Sequence, residues 1–168
     1  MNAIVFESHT GFTARYAQLL SDKLGLPCYP LAKAKMALRD EEAVLFLSWV
    51  QAGHIEKLSD ARRHFSLSAI VAVGMMMPSD TARQRLRHDN RIPEKTPLFQ
   101  LLGGVDLQKL KGVRKMTLSL AAKAMAKSGA KTAEEQQILY AMQHGGDLVK
   151  EENLEEILRW YRKLEKKR

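Results

Sequence analysis

The sequence predicts an α/β protein with a doubly wound, five-stranded parallel sheet. Three segments, residues 3–6, 43–48 and 69–74, are almost unbroken runs of apolar residues. Strands of this kind are usually buried on both faces, as in a parallel sheet covered by helices. Helical patterns separate most of the strands, and right-handed crossovers between parallel strands give this fold class. A chain of 168 residues suits one domain with a full core.

The first strand, residues 3–6, leads into a hydroxyl-rich loop, Ser8-His9-Thr10-Gly11-Phe12-Thr13. The backbone N–H groups and three hydroxyls of such a loop wrap around a phosphate, and the N-terminus of the next helix favours an anion. The loop lacks the patterns of ATP-binding and dinucleotide-binding loops. It therefore predicts a phosphate site for a different ligand. The alternative is a turn whose hydroxyls only cap the helix.

Four residues of this loop match the pattern Thr/Ser-x-Thr-Gly-x-Thr at every specified position: Ser8, Thr10, Gly11 and Thr13. In this pattern, and in its place at the first strand–helix junction, the chain resembles the flavodoxins. In that family the loop holds the terminal phosphate of FMN. The resemblance implies FMN as the cofactor and a sheet with the strand order 2-1-3-4-5, and it places His9 and Phe12 beside the phosphate.

The remaining elements follow in order. A helix is predicted over residues 13–24, and Gly25 ends it. Strands are predicted at 26–31 and 43–48, a helix at 56–65, and strands at 69–74 and 98–102. At the end of the chain, Asn153 and Glu156 have the spacing of a capping box. The final helix has one apolar face and a basic end, formed by Lys163, Lys166, Lys167 and Arg168.

Ligands of doubly wound folds bind beyond the carboxyl ends of the strands. The third strand ends in Ser48-Trp49-Val50-Gln51-Ala52-Gly53-His54. Trp49 is predicted to stack on the flavin ring, a contact that contributes about 1 kcal/mol beyond burial, or else to fill the core at the strand end. Gly53 allows the backbone to turn. His54 either hydrogen-bonds the flavin edge or a quinone, or caps the next helix.

The fourth strand ends in Gly74-Met75-Met76-Met77-Pro78, whose backbone is expected at the ring edge. The methionines either cover the ring, receive a hydrophobic substrate or fill gaps in the core. Arg83, Arg85 and Arg87 alternate in what reads as a loop. Such arginines are either a solvated face or a positive field that favours reduced flavin and acidic substrates.

Residues 106–127 are predicted to form one long helix with Asp106 as its cap. The predicted apolar side consists of Leu107, Leu110, Val113, Met116, Leu120 and Ala124. Seven basic residues stand against one acidic residue over 105–131, a net charge of +6. Such a helix either lies on an anionic membrane or docks a partner, or packs in the core with its lysines reaching to solvent.

The chain is further similar to the flavodoxin-type branch that contains menaquinone-dependent protoporphyrinogen oxidases. Those proteins have a small residue and Gly-His after the third strand, as in Ser48 and Gly53-His54. They also have a basic, methionine-bearing helical insertion, here about 105–145, that ends in a Ser-Gly turn, here Ser128-Gly129. The resemblance implies a resumed strand at residues 136–140, within a single domain that spans 1–168.

Composition limits the partners. The net charge of +8 predicts an anionic partner: acidic lipid, nucleic acid or an acidic redox protein. No nucleic-acid motif is recognisable, so no specific nucleic acid is expected. The single cysteine, Cys28, excludes a disulfide within the chain, and no signal peptide or membrane span is visible. We expect a cytoplasmic protein, peripheral on the inner face of the membrane if the basic helix binds lipid.

Three functions remain open. The first is an FMN-binding, flavodoxin-like electron carrier or oxidoreductase whose partner is a quinone or another redox protein. The second is a membrane-associated protoporphyrinogen oxidase with a quinone acceptor. The third is a basic binding module with a vestigial flavin site. No catalytic residue and no metal site is assigned, because the cofactor performs the chemistry in the first two.

Overall fold

The computed structural model describes residues 1–166, so Lys167 and Arg168 of the predicted basic helix end lie outside the described residues. Five strands form the parallel part of the main sheet: β1 (Ala3–Glu7), β2 (Cys28–Pro30), β3 (Glu42–Gln51), β5 (Phe65–Gly74) and β6 (Leu98–Leu102). Their spatial order is β2-β1-β3-β5-β6, and the two-residue strand β4 (His54–Ile55) pairs antiparallel with β3. The predicted α/β class with a mostly parallel sheet is confirmed.

Helices cover both faces of this sheet. On one face lie α1 (Phe12–Leu24) and α7 (Glu155–Glu165), whose Tyr16, Leu20 and Ile157 pack on Leu45 and Leu47 of β3. On the other face lie α2 (Leu31–Ala37), α3 (Leu58–His64) and α4 (Asp80–Asp89). Their apolar side chains meet those of β3 that point the opposite way, Val44 and Phe46. Burial of both faces explains why the central strands are apolar at every position.

The segment after β6 forms a separate layer. It contains β7 (Gly104–Val105), α5 (Gly112–Ser128), α6 (Ala133–His144) and β8 (Gly146–Asp147), and β7 pairs antiparallel with β8. Ala122 of α5 and Ile138 and Met142 of α6 form a small core with side chains from the ends of β5 and β6, including Met75, Met77 and Leu102. The helix pair therefore packs over the carboxyl edge of the main sheet.

The first helix and its end are as predicted, since Gly25 adopts a left-handed conformation with φ 64° and donates its N–H to Ser21. The second strand is shorter than predicted, because Leu31 already begins α2. Phe65 opens β5 rather than ending the preceding helix.

Three other predictions are wrong. Residues 106–127 are not one helix: Asp106 accepts from the N–H groups of Gln108 and Lys109 in a separate turn, and α5 begins at Gly112. Residues 136–140 are helical, because Thr132 and Glu135 form a capping box that starts α6. Asn153 does not cap the last helix: its amide donates to the Tyr16 hydroxyl at 2.6 Å, and α7 follows a short 3₁₀ turn, Glu151–Leu154.

Candidate functional site

The loop between β1 and α1 is shaped by its own hydroxyl and by a glycine. The Ser8 Oγ accepts from the N–H groups of Gly11 and Ala14 at 3.2 and 3.3 Å. Gly11 has φ 102°, a backbone conformation that side-chain-bearing residues rarely adopt. Thr13 is buried in the first turn of α1. The loop thus wraps around the N-terminus of a 13-residue helix, whose dipole favours an anion.

A cavity of about 970 Å³ opens beside this loop, at the carboxyl ends of β3, β5 and β6. This volume lies at the upper end of the range for small-molecule sites. The cavity brings together eleven of the fourteen predicted site residues: His9, Thr10, Phe12, Thr13, Trp49, Val50, Gln51, Gly53, Gly74, Met75 and Met76. Ser8, Gly11 and Ser48 are not among its lining residues.

Ser48 is fully buried, and its hydroxyl donates to the carbonyl of Glu56 at 2.7 Å, which holds the chain as it leaves β4. Trp49, Val50 and Gln51 belong to β3 itself, and only Ala52 and Gly53 form the turn into β4. Because β4 is a two-residue hairpin arm, it fixes the end of β3 against the cavity. His54, for which the sequence suggests a contact with the flavin edge or a quinone, or a helix cap, is exposed on β4. It is not among the cavity's lining residues.

Trp49 lies in a three-membered stack. The imidazole of His9 is nearly parallel to its indole, with ring centroids 5.7 Å apart. The Arg114 guanidinium of α5 lies 5.0 Å from the indole centroid and donates to His9 Nε2 at 2.9 Å. Trp49 therefore does not fill the core at the strand end, because it contacts both the loop between β1 and α1 and the helix α5.

The three methionines differ in surroundings. Met75 and Met77 pack against the small core beneath α5 and α6, whereas Met76 is 56% exposed at the rim. Leu118, Ala121 and Met125 of α5 add an apolar wall on that side of the cavity. These side chains give the cavity a soft apolar section next to the polar loop.

Sequence reasoning missed several lining residues. The Gln100 side chain is directed at the cavity, and its Oε1 is buried without a hydrogen-bond partner in the described residues. Gly104 allows Phe12 to approach, since a Cβ there would lie 2.4 Å from the phenyl ring. In the sequence, the Gly103-Gly104 pair directly after a strand is the feature that could have indicated this close approach. No local pattern pointed to Gln100.

The alternating arginines lie on α4 rather than in a loop. Arg83 donates to both carboxylate oxygens of Glu156 on α7, and Arg87 is buried and donates to the carbonyls of Pro93 and Thr96. Both are therefore structural. Arg85 alone of the three lines the cavity, 3.8 Å from Asp89.

Two buried groups are not nucleophiles of this site. Burial raises the pKa of the Tyr16 phenol, which donates to the Leu102 carbonyl at 2.7 Å. Burial, with a smaller effect of Asp22, raises the pKa of the Cys28 thiol to about 11. Cys28 thus stays protonated at neutral pH and is a poor nucleophile.

Within residues 1–166 no cluster of three or more His, Cys, Asp or Glu side chains is arranged to hold a metal ion. None of the helices described is both long and apolar enough to span a membrane. Comparison of the chain with protein-family models, with characterised proteins and with solved structures finds no match in any of the three.

Proposed function

We propose that this protein binds FMN in the cavity and transfers electrons as a flavodoxin-like oxidoreductase. The observation that carries the proposal is the convergence of the hydroxyl-rich loop and Trp49 on one cavity at the carboxyl edge of a parallel sheet. This is where doubly wound folds bind their ligands. Counted without β4, the order of the parallel strands also agrees with the 2-1-3-4-5 order that the resemblance implies.

The residues present fit FMN chemically. Thr10 and the N–H groups at the start of α1 suit the phosphate, and Trp49 offers a flat face to the ring. When bound, the flavin itself supplies the redox chemistry, and the protein binds, orients and shields it.

The first test is the visible absorbance spectrum of the purified protein, with released flavin identified by mass. We expect FMN to be bound, or to bind on addition. Thr10→Val should weaken FMN binding because a phosphate hydroxyl is removed. Thr81→Val is the control, since Thr81 is exposed on α4 and is not among the lining residues. A colourless protein that refuses added FMN would overturn the proposal and favour a basic binding module.

The exposed side of α5 supports contact with an anionic membrane. Val113, Met116 and Leu120 are 66%, 58% and 60% exposed and lie on one side of the helix. Exposed lysines at 115, 123 and 127 accompany them. An apolar stripe beside lysines suits the surface of a bilayer with acidic headgroups. Of the predicted apolar side, these three residues are exposed, whereas Leu110 and Ala124 are among the lining residues of the cavity.

Sedimentation with vesicles tests this contact. We expect binding to vesicles that contain phosphatidylserine, weaker binding to purely zwitterionic vesicles, and loss of binding in Met116→Glu. The control is Met36→Glu, because Met36 is 90% exposed on α2, away from this stripe. Equal binding of both variants would contradict the assignment. Binding to the vesicles that contain phosphatidylserine would agree with a cytoplasmic protein that is peripheral on the inner face of the membrane.

A protoporphyrinogen oxidase is the second candidate. The observation that favours it is the apolar section of the cavity, formed by methionines and α5, which offers an apolar surface to a macrocyclic substrate. The test is oxidation of protoporphyrinogen by the FMN-loaded protein with and without a quinone. Quinone-dependent formation of protoporphyrin supports the oxidase, whereas no formation of protoporphyrin above the rate without protein leaves the electron carrier.

A further inference from the structure

We infer that the layer added after β6 supplies the positive charge of the phosphate site: Arg114 of α5, assisted by Lys109 of the preceding turn, pairs with the flavin phosphate and makes the site selective for FMN over riboflavin. The inference rests on the proposed function and concerns the part of the ligand that the site selects. It assigns a binding role to a residue more than 100 positions away from the loop that it serves.

The first support is the position of the two cations. Arg114 Nη1 donates to His9 Nε2 at 2.9 Å, and Lys109 Nζ donates to the carbonyl of Thr10 at 3.4 Å. His9 and Thr10 are consecutive residues of the phosphate loop. Both cations thus contact the loop that precedes α1.

The second support is that the loop has no cation of its own. Residues 8–13 contain neither lysine nor arginine. The next basic residue along α1 is Arg15, and its guanidinium is already paired with Asp147 on β8. Hydroxyls and N–H groups alone hold a phosphate without neutralising it. The cations in contact with the loop come instead from the layer that follows β6.

The third support is the availability of Arg114. Within residues 1–166 its guanidinium forms no ion pair with a carboxylate, and its contacts are a ring nitrogen of His9 and the face of Trp49. Lys109 instead lies 3.2 Å from Asp106, and this hydrogen bond lowers the pKa of the Asp106 carboxyl. Lys109 is thus partly neutralised already, which makes Arg114 the principal ligand. Its planar fork suits two phosphate oxygens at once.

The test compares the dissociation constants of FMN and riboflavin, which differ only in the phosphate. Arg114→Gln should weaken the binding of FMN about tenfold or more, as expected for loss of hydrogen bonds to a charged group. The binding of riboflavin should be unchanged. The dissociation constant of Arg114→Lys for FMN should lie between those of the wild type and Arg114→Gln. Lys123→Gln is the matched control, because Lys123 is an exposed cation on the same helix and is not among the cavity's lining residues.

Salt gives an independent readout. The wild-type affinity for FMN should fall as salt rises, and this dependence should be weaker in Arg114→Gln. The inference is overturned if Arg114→Gln binds FMN as the wild type does, or if it loses FMN and riboflavin equally, since Arg114 then only shapes the cavity. Both results leave FMN binding by the wild type intact. A wild-type protein that binds neither flavin overturns the proposed function, and this inference with it.

Discussion

Trp49 offers the clearest test at the scale of single residues. Its indole faces the loop rather than the core, so Trp49→Ala should weaken FMN binding by about 1 kcal/mol, roughly fivefold, through loss of the ring contact. Fluorescence titration with FMN measures the change. Tyr140→Ala is the control, because Tyr140 is likewise stacked on a histidine, at a centroid distance of 4.4 Å, but lies on α6 outside the cavity. Equal losses in both variants would contradict a ring contact at Trp49.

Gly104 is predicted to be required for stability. A Cβ there would lie 2.4 Å from Phe12 and 2.7 Å from the Gly146 carbonyl, and the backbone of β8 cannot yield easily. Gly104→Ala should therefore destabilise the protein by about 1–3 kcal/mol, as overpacking usually does. Urea unfolding measures this. In Gly74→Ala the new Cβ meets Val50 at an ordinary 3.5 Å, so we expect little change.

The residues of the site were more predictable the closer they lie in sequence to a recognisable motif. The loop at 8–13 has a local pattern, and Trp49 lies near the end of an apolar strand, so both could be placed at the cavity beforehand. Arg114 could not, because its role depends on how α5 folds back over the sheet. The hydrogen-bond partners of Ser48 and Asn153, the Glu56 carbonyl and the Tyr16 hydroxyl, likewise follow from no spacing rule.

At the scale of elements, one ion pair joins two helices on the same face of the sheet. Lys35 of α2 donates to Asp60 of α3 at 2.5 Å, and this hydrogen bond lowers the pKa of the Asp60 carboxyl. A lowered pKa means that the stabilisation is fully present above the ordinary aspartate value of about 3.9 and is lost as the pH falls through the folded-state value.

Asp60→Asn should therefore lower the free energy of unfolding by about 0.5–1 kcal/mol at pH 7, with no difference remaining near pH 2. Denaturant titrations at the two pH values measure the effect. Asp40→Asn, at a carboxylate that is 86% exposed, should change little at either pH. A deficit of Asp60→Asn that is the same at both pH values would show that the packing, not the ion pair, is responsible.

Elements were predictable where one physical signal dominated. The central strands are apolar at each position because both faces are buried, and Gly25 ends α1 by its left-handed conformation. For α5 the sequence left open whether the apolar side packs in the core, because small and apolar residues occur all round this helix. Periodicity then cannot say which side faces the protein. In α6 the capping box at Thr132 outweighed the resemblance, which implied a strand at 136–140.

At the scale of the whole molecule, ligand binding should appear as stability. A ligand at 100 times its dissociation constant that binds only the folded state adds about 2.7 kcal/mol. For a protein of this size, that is a rise in melting temperature of roughly 5–10 °C. Thermal unfolding with and without FMN measures the shift, and Thr10→Val should show a smaller one at the same FMN concentration. An unchanged melting temperature in saturating FMN would contradict a specific site.

The three methionines after β5 bear on how the protein tolerates oxidants. Oxidation turns a thioether into a polar sulfoxide, and enzymes can reverse it. Met76 stands exposed at the rim, whereas Met75 and Met77 support the helix pair from below. Oxidants would thus reach Met76 at the rim before Met75 and Met77 beneath the helix pair. The mouth of the cavity would become polar while the sheet stays folded, so damage would first close the site to apolar molecules, in a form that repair can undo.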